Sequence, residues 1–225
     1  ATIAAGGSTT FDITFNPSAL GLRTATLTIA NNDSDENPYN FNIQGTGTDA
    51  CGGYVTTFPY IEDFESGLGQ IAQGTSDNFD WTRDSAGTPS GSTGPSDAAS
   101  GTFYLYTEAD GNTGNTANLF TPCLDLSGTS NPRLTFSHHM YGSDMGTLRI
   151  DLSTDSGSTY PTNLWIQTGQ VQGANNSSYI PISIDLSAYI GQTVKIRIQG
   201  IVGGGTRSDM AIDYLYVTDK PEPTI

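Results

Sequence analysis

A chain of 225 residues with 27 Gly and 11 Pro is too rich in turn formers for long helices, and 35% hydrophobic residues suffice for one sandwich core plus a smaller companion. With 8 Lys and Arg against 23 Asp and Glu, the formal charge of −15 disfavours nucleic acid and anionic membranes as partners, because no basic stripe is present to displace counterions. No apolar run reaches the roughly 20 residues that span a bilayer, and the first residues lack a charged and apolar leader, so no membrane insertion is expected and any export signal lies elsewhere.

Three runs near the start alternate apolar and polar residues: Thr10 to Phe15, Arg23 to Ile29 and Tyr39 to Ile43, the first two separated by a turn at Asn16-Pro17-Ser18. Each reads as a half-buried strand. The phrases Phe11-Asp12-Ile13-Thr14-Phe15-Asn16-Pro17, Leu27-Thr28-Ile29-Ala30-Asn31-Asn32-Asp33 and Gln44-Gly45-Thr46-Gly47-Thr48 are similar to the C-terminal half of Hydin-like immunoglobulin-type domains of bacterial surface proteins. Three strands leave an apolar face and an edge uncovered, so residues 1–48 are expected to be part of a larger domain, and the chain a fragment of a longer protein. A short linker over Gly45 to Asp49 leads into a second domain, 49–219, and residues 220–225 read as an exit linker.

In the second domain the expected strands are Val55 to Phe64, Thr102 to Glu108, Arg133 to Tyr141, Thr147 to Ser153, Ser183 to Asp185, Thr193 to Gly200 and Ala211 to Thr218. Leu148, Ile150 and Leu152, like Val194, Ile196 and Ile198, mark a dry face, and Arg149, Asp151, Lys195 and Arg197 a wet one. Leu124-Asp125-Leu126-Ser127 and Ile184-Asp185-Leu186-Ser187 read as two corners where an Asp turns back on its own backbone, the second leading into one helical turn to Tyr189. Ser153-Thr154-Asp155-Ser156-Gly157-Ser158-Thr159-Tyr160 has the Asp-box pattern, which closes a hairpin. As an EF-hand it fails, because the glycine falls one place late and Thr162 stands where the twelfth-position glutamate belongs.

The segments Phe64-Glu65-Ser66, Phe79-Asp80-Trp81-Thr82-Arg83, Gly87-Thr88-Pro89-Ser90, Thr93-Gly94-Pro95-Ser96-Asp97, Leu134-Thr135-Phe136, His139-Met140-Tyr141-Gly142 and Ala211-Ile212-Asp213 follow one another in order. Together they resemble the MAM domain, the extracellular module shared by meprins, neuropilins and receptor tyrosine phosphatase mu. The resemblance implies an all-β antiparallel jelly-roll sandwich that binds rather than catalyses. It also implies a structural cation, calcium or sodium, carried onto Glu65, Asp97 and Asp213 with main-chain oxygens near Ser100; Ala98-Ala99 after Asp97 departs from the His-Thr usual in the family. Three converging carboxylates otherwise repel, and hard oxygen ligands suit such ions. The other reading of each acid is a capped turn. His139 falls in a motif whose role is packing, and Trp81 and Phe103 fall in core motifs.

Cys51 and Cys123 are the two cysteines, and in a chain of extracellular appearance an even pair favours a disulfide tying the domain's entry to the Pro122-Cys123-Leu124 edge. Two separate buried thiols are the alternative; zinc lacks ligand spacing. Trp165, Tyr160 and Tyr141 are candidates for a stacking platform toward a glycan. The adjacent His138 and His139 face opposite sides of a strand and cannot share a metal, and no nucleophile elbow is present, so no catalytic residues are assigned. The expected function is a non-catalytic adhesion or recognition module of a multidomain secreted or cell-surface bacterial protein, binding an extracellular glycan or protein and touching flanking domains of the same polypeptide. The alternative is a carbohydrate-binding accessory module of a polysaccharide-degrading enzyme.

Overall fold

In a computed structural model of the chain, the described residues are 3–4, 6–15, 21–32, 34–35, 37–47, 51 and 53–220. The chain divides into two units, Ala1–Asp49 and Ala50–Ile225.

The first unit holds β1 (Gly21–Ile29) paired antiparallel with β2 (Tyr39–Gly47). Their register sets Ala25 opposite Ile43, Leu27 opposite Phe41 and Ile29 opposite Tyr39, while the alternate positions hold Thr24, Thr26 and Thr28 against Gln44, Asn42 and Asn40. One face is thus apolar and the other polar, with Thr26 Oγ1 donating to Asn42 Oδ1 at 2.9 Å. None of its described residues is buried, which leaves a two-stranded ribbon marginal by itself. The strand expected at Thr10 to Phe15 does not form: alternation alone cannot hold extended backbone without a partner ladder, and none is present among the described residues. The turn expected at Asn16-Pro17-Ser18 lies outside the described residues, as do residues 221–225 of the expected exit linker.

Among its described residues the second unit is all-β apart from one 3-10 turn at Ser187–Tyr189. Its strands are β3 (Tyr54–Val55), β4 (Tyr60–Glu62), β5 (Ala72–Gln73), β6 (Thr82–Asp84), β7 (Tyr104–Tyr106), β8 (Thr116–Phe120), β9 (Cys123–Asp125) and β10 (Pro132–Met140). There follow β11 (Thr147–Ser153), β12 (Thr162–Thr168), β13 (Ile180–Asp185), β14 (Thr193–Ile201) and β15 (Met210–Asp219). One sheet runs β13-β10-β15-β7-β6, with β4 also on β15; the other runs β12-β11-β14-β8-β5, with β9 on β14 and β3 on β9. All pairs are antiparallel except β3 with β9. The expected Val55 to Phe64 strand is split into β3 and β4, each on a different sheet.

The sheets face one another across a core in which Leu134, Phe136, Ile212, Leu215 and Val217 of the first meet Leu119, Leu148, Ile150, Val194, Ile196 and Ile198 of the second. Trp81 closes one end, 3% exposed, its indole N–H donating to the Ala117 carbonyl at 3.2 Å. The two expected corners are present: Asp125 Oδ1 accepts the Ser127 N–H at 2.9 Å, and Asp185 Oδ1 that of Ser187 at 2.8 Å. Cys51 and Cys123 are disulfide-bonded, with Cα atoms 5.4 Å apart and a sequence separation of 72. Chain-entropy arguments give such a loop about 4 kcal/mol of stabilisation.

Two β-bulges decide which side chains reach the core. Between β10 and β15 the partners step from Thr135–Tyr216 to Ser137–Asp213, so Tyr214 is an extra residue on β15, with φ of +50°. Between β11 and β12 the step from Ile150–Trp165 to Asp151–Asn163 makes Leu164 the extra residue on β12. Packing is equally tight at Gly200 in β14, where a Cβ would stand 2.7 Å from Thr107 Cγ2, 3.0 Å from Trp81 Cζ2 and 3.3 Å from Met210 Sδ. Gly200→Ala should therefore overpack the site and cost about 1–3 kcal/mol, read as a lower urea midpoint without change in slope. An unchanged midpoint would show that Trp81 and Thr107 have room to give.

Candidate binding site

The bulge at Tyr214 builds an acidic clamp on the outer face of the first sheet. In a regular strand Asp213 and Leu215 share a face; the extra residue lets Leu215 point into the core while Asp213 lies on the outer face beside Ser137. Asp213 is nonetheless fully buried, because the loop from Asp97 to Phe103 folds over it. Its Oδ2 accepts the N–H groups of Ala99 and Ser100 at 2.8 and 2.9 Å, and Oδ1 that of Tyr214 at 2.6 Å. Glu65, just past β4, holds the other half of the loop: Oε1 accepts the N–H groups of Thr102 and Phe103, both at 2.8 Å. This approach requires Gly101, whose φ is +67° and whose added Cβ would collide with the Glu65 carboxylate. Arg83 completes the clamp, donating Nε to the Phe64 carbonyl and Nη2 to that of Glu65, with its guanidinium 3.4 Å over the Phe103 ring. Phe103 is therefore half-buried under a cation rather than in the core.

The electrostatics follow from these contacts. The Phe103 and Thr102 N–H groups hold the Glu65 carboxyl below its usual range. Burial pushes Asp213 up to about 6 despite its three N–H donors, and the Glu65 charge adds to the rise. Asp97, the third expected ligand, is exposed and accepts the N–H of the adjacent Ala98 at 2.9 Å. Two of the three expected acids thus meet on one loop. No group of three or more acidic, histidine or cysteine side chains that could hold a metal ion forms among the described residues.

Beside the clamp, Ser96 to Ala99 and Asn175 to Tyr179 form the walls of a polar groove of about 310 Å³, floored by Ser137. The Ser96 N–H donates to the Asn175 carbonyl at 2.8 Å and joins the walls. Buried Gln172 anchors the second wall, its Oε1 accepting from the Met140 N–H at 2.7 Å and its Nε2 donating to the His138 carbonyl at 3.2 Å. His139 lies under this wall against the Tyr179 ring, while His138 faces the core against Phe136 and Trp165, so the two histidines point to opposite sides as expected. The Ala174 and Ser177 main chains flank His139 without closing a well-formed hydrogen bond.

The expected aromatic platform does not form. Trp165, brought inward by the bulge at Leu164, stands edge-on to Phe136 at 5.5 Å and packs on the core. Tyr160 lies outside the same sheet, tilted against Phe120 at 5.5 Å with Arg197 over its ring at 4.9 Å. Tyr141 follows β10 on the other sheet and acts through its carbonyl, which accepts the Gly94 N–H and the Thr93 hydroxyl, both at 2.9 Å. The Asp-box hairpin is present: Asp155 Oδ1 accepts the Thr159 N–H at 2.8 Å and the Ser153 hydroxyl at 2.6 Å, and Gly157 has φ of +90°.

One cluster carried no role in the sequence reading. Asp151, fully buried on the outer face of β11, takes Nη2 of Arg149 at 2.7 Å, Nη2 of Arg197 at 2.8 Å and Nδ2 of Asn163 at 2.9 Å. Burial opposes its charge, but these donors prevail and hold its carboxyl below the ordinary range. The visible signal was Arg-x-Asp on a strand, which sets both side chains on one face; the partner in β14 required the register.

The sequence profile described as MAM domain, meprin/A5/mu matches residues 63–221. The chain belongs to the MAM family. It is 29% identical over 182 residues to MAM domain-containing glycosylphosphatidylinositol anchor protein 2 of Homo sapiens, covering 72% of this chain and 18% of that protein. Over 150 residues it is 30% identical to MAM domain-containing glycosylphosphatidylinositol anchor protein 1 of Rattus norvegicus, covering 63% of this chain and 15% of that protein. The chain therefore spans less than a fifth of these relatives. Among solved structures, the K1 cleaved adhesin domain of Lys-gingipain from Porphyromonas gingivalis W83 superposes with a TM-score of 0.52 at 18% identity, covering 73% of this chain and 100% of that one, which is a likeness of fold.

The buried titratable groups of this MAM domain oppose one another. Asp209 and Asp213 are raised by burial from 3.8 to about 6, so between pH 4 and 6 the folded chain holds protons that the unfolded chain has released. That stability is present at low pH and lost as pH rises through 6. His138 and His139 are lowered by burial from 6.5 to about 4, so over the same window their stabilisation is lost as pH falls. The two slopes have opposite signs. Asp213→Asn removes one acid, so relative to the parent its stability should rise with pH by about 1.4 kcal/mol per unit between pH 4 and 6. Urea melts at pH 4, 5 and 6 test this; a pH-independent difference would mean Asp213 does not titrate there.

Proposed function

We propose that this MAM domain is a non-catalytic adhesion or recognition module within a multidomain secreted or cell-surface bacterial protein, with an extracellular glycan or protein as ligand. The carrying observation is where the acids and imidazoles go. Asp151, Asp209 and Asp213 are fully buried, Glu65 is spent on loop N–H groups, and both histidines are buried with depressed basicity. A poised acid or base needs reach to a substrate; the three buried aspartates and the two histidines lack it, and the loop N–H groups that hold Glu65 keep its carboxyl ionised rather than poised. The first unit, with its apolar ribbon face and no buried described residue, supports reading residues 1–48 as part of a Hydin-like immunoglobulin-type domain with further strands contributed by the same polypeptide. The disulfide and the anchored human relative support an extracellular setting. The accessory-module reading loses the feature that favoured it, since Trp165 packs inward.

The test incubates the chain with glycans and peptides and follows binding and product together. Saturable binding without product is expected; release of product that disappears on substitution of a single carboxylate would overturn the module reading.

A structural cation, calcium or sodium, belongs to the same proposal, now on Glu65 and Asp213 with main-chain oxygens near Ser100. Its support is the two clamp carboxylates, which meet on one loop, the Glu65 charge adding to the rise that burial gives Asp213, and their hard-oxygen chemistry. Such an ion holds the loop and performs no chemistry. Calcium should raise the melting midpoint, EDTA should lower it, and Glu65→Gln should abolish both responses. A midpoint indifferent to calcium, sodium and EDTA would leave the loop N–H groups as the sole partners of these acids.

A further inference from the structure

The outer face of the β12-β11-β14-β8-β5 sheet is polar, and register sorts it into two neighbouring rows. Asp151, Arg197 and Phe120 are Cα partners across β11, β14 and β8; Arg149, Gln199 and Asn118 form the next row. Rows two residues apart on adjacent strands place these side chains within one patch. Arg149 and Arg197 each spend Nε and one N–H of Nη2 on Asp151, which leaves about three of five guanidinium N–H groups on each without a partner. Both side chains stay partly exposed, at 31% and 23%. Gln199 Nε2 donates to Asn118 Oδ1 at 2.9 Å, so the Gln199 carbonyl and the Asn118 amide N–H groups remain for a ligand. The Tyr160 and Phe120 rings pack beside Arg197, and the 74–77 turn raises one wall of a recess of about 240 Å³ lined by Asn118, Phe120 and Arg197.

Charge narrows the ligand. Arg149, Lys195 and Arg197 are balanced locally by Asp77, Asp151 and Asp155, in a chain of net charge −15, so a polyanion gains nothing over distance and a polycation meets two guanidinium groups. The three carboxylates are occupied by protein donors: Asp77 by the Asn118 N–H at 2.6 Å, Asp155 within its hairpin, Asp151 by the two arginines. What faces solvent is a surplus of fixed N–H donors beside two ring systems. Neutral sugars match that chemistry, with hydroxyl oxygens as acceptors and a C–H face that packs on aromatic carbon. The donors are ordered before any ligand arrives, so little side-chain entropy is lost on binding.

We propose that this outer sheet face, centred on Arg149, Arg197, Gln199 and Asn118, binds a neutral polysaccharide, with the recess beside Phe120 receiving a single sugar ring. The recess is smaller than the roughly 300–1,000 Å³ of enclosing ligand pockets, so the chain of the polysaccharide runs across the face. This inference rests on the module reading and names its surface and ligand class.

The whole chain is titrated with the soluble hexaoses of cellulose, xylan and mannan, and with polygalacturonate, by calorimetry and by amide NMR shifts. At least one neutral hexaose should bind and shift the amides of β8, β11 and β14. The Asn118→Ala/Gln199→Ala pair, which leaves the Asp151 cluster intact, should weaken it at least tenfold with an unchanged melting midpoint. Asn176→Ala in the groove on the other sheet should leave it unaltered. Binding that follows Asn176 and ignores the pair would overturn the face while leaving the module reading intact. Failure of every neutral hexaose, with a protein or polygalacturonate bound instead, would overturn the ligand class alone. Product release from a bound hexaose would sink the module reading itself. The NMR map on the parent chain decides the location even if the variants fold poorly.

Discussion

Everything placed by this sandwich depends on the two-residue alternation of its strands, and on the two points where one extra residue breaks it. A strand that slips by one residue sends its whole apolar set to the wrong side. Here the slips are local. On β15 the extra Tyr214 lets Asp213 face outward while Leu215 and Val217 face the core; on β12 the extra Leu164 turns Trp165 inward while Asn163 stays outside against Asp151. One bulge makes the acidic clamp and the other removes the most obvious ligand platform.

The clamp also shows how a chain this acidic uses its carboxylates. Few are left to face water as bare charges in the sandwich. Asp125, Asp185 and Asp219 accept backbone N–H groups at corners, Asp155 closes its hairpin, Asp213 and Glu65 share one loop, and Asp151 binds two arginines. An anion that accepts several N–H groups is stabilised by them and fixes the donor segment in return. Loop order in this fold is therefore bound up with ionised acids.

The two outer faces of the sandwich differ in consequence. Over the first sheet, the loops carrying Ser96 to Phe103 and Asn175 to Tyr179 cover His139, Tyr104 and Tyr106 and leave a groove of small polar groups. Over the second, no such cover sits on Arg149 and Arg197, and side chains from three strands form a flat polar surface. The sandwich has in this way one loop-made concavity and one strand-made polar face, the latter held by the ion cluster of Arg149, Asp151 and Arg197.

The sequence by itself determined the all-β class, the strands with clean alternation such as Thr147 to Ser153 and Thr193 to Gly200, the Asx corners at Asp125 and Asp185, the Asp-box hairpin and the cysteine pairing. These are local signals, or follow from having two cysteines to join. It did not reveal β5, β6, β8, β9 and β12, which are short or lack alternation and exist because neighbouring strands supply their ladders. Nor did it place the charged cluster, since Arg197 reaches Asp151 only through the pairing of β11 with β14. Thr10 to Phe15 erred the other way, with alternation but no partner strand among the described residues. Which face Trp165 and Leu215 take was a tertiary decision, because a bulge is one unpaired residue opposite a partner strand and has no definition until that strand is in register.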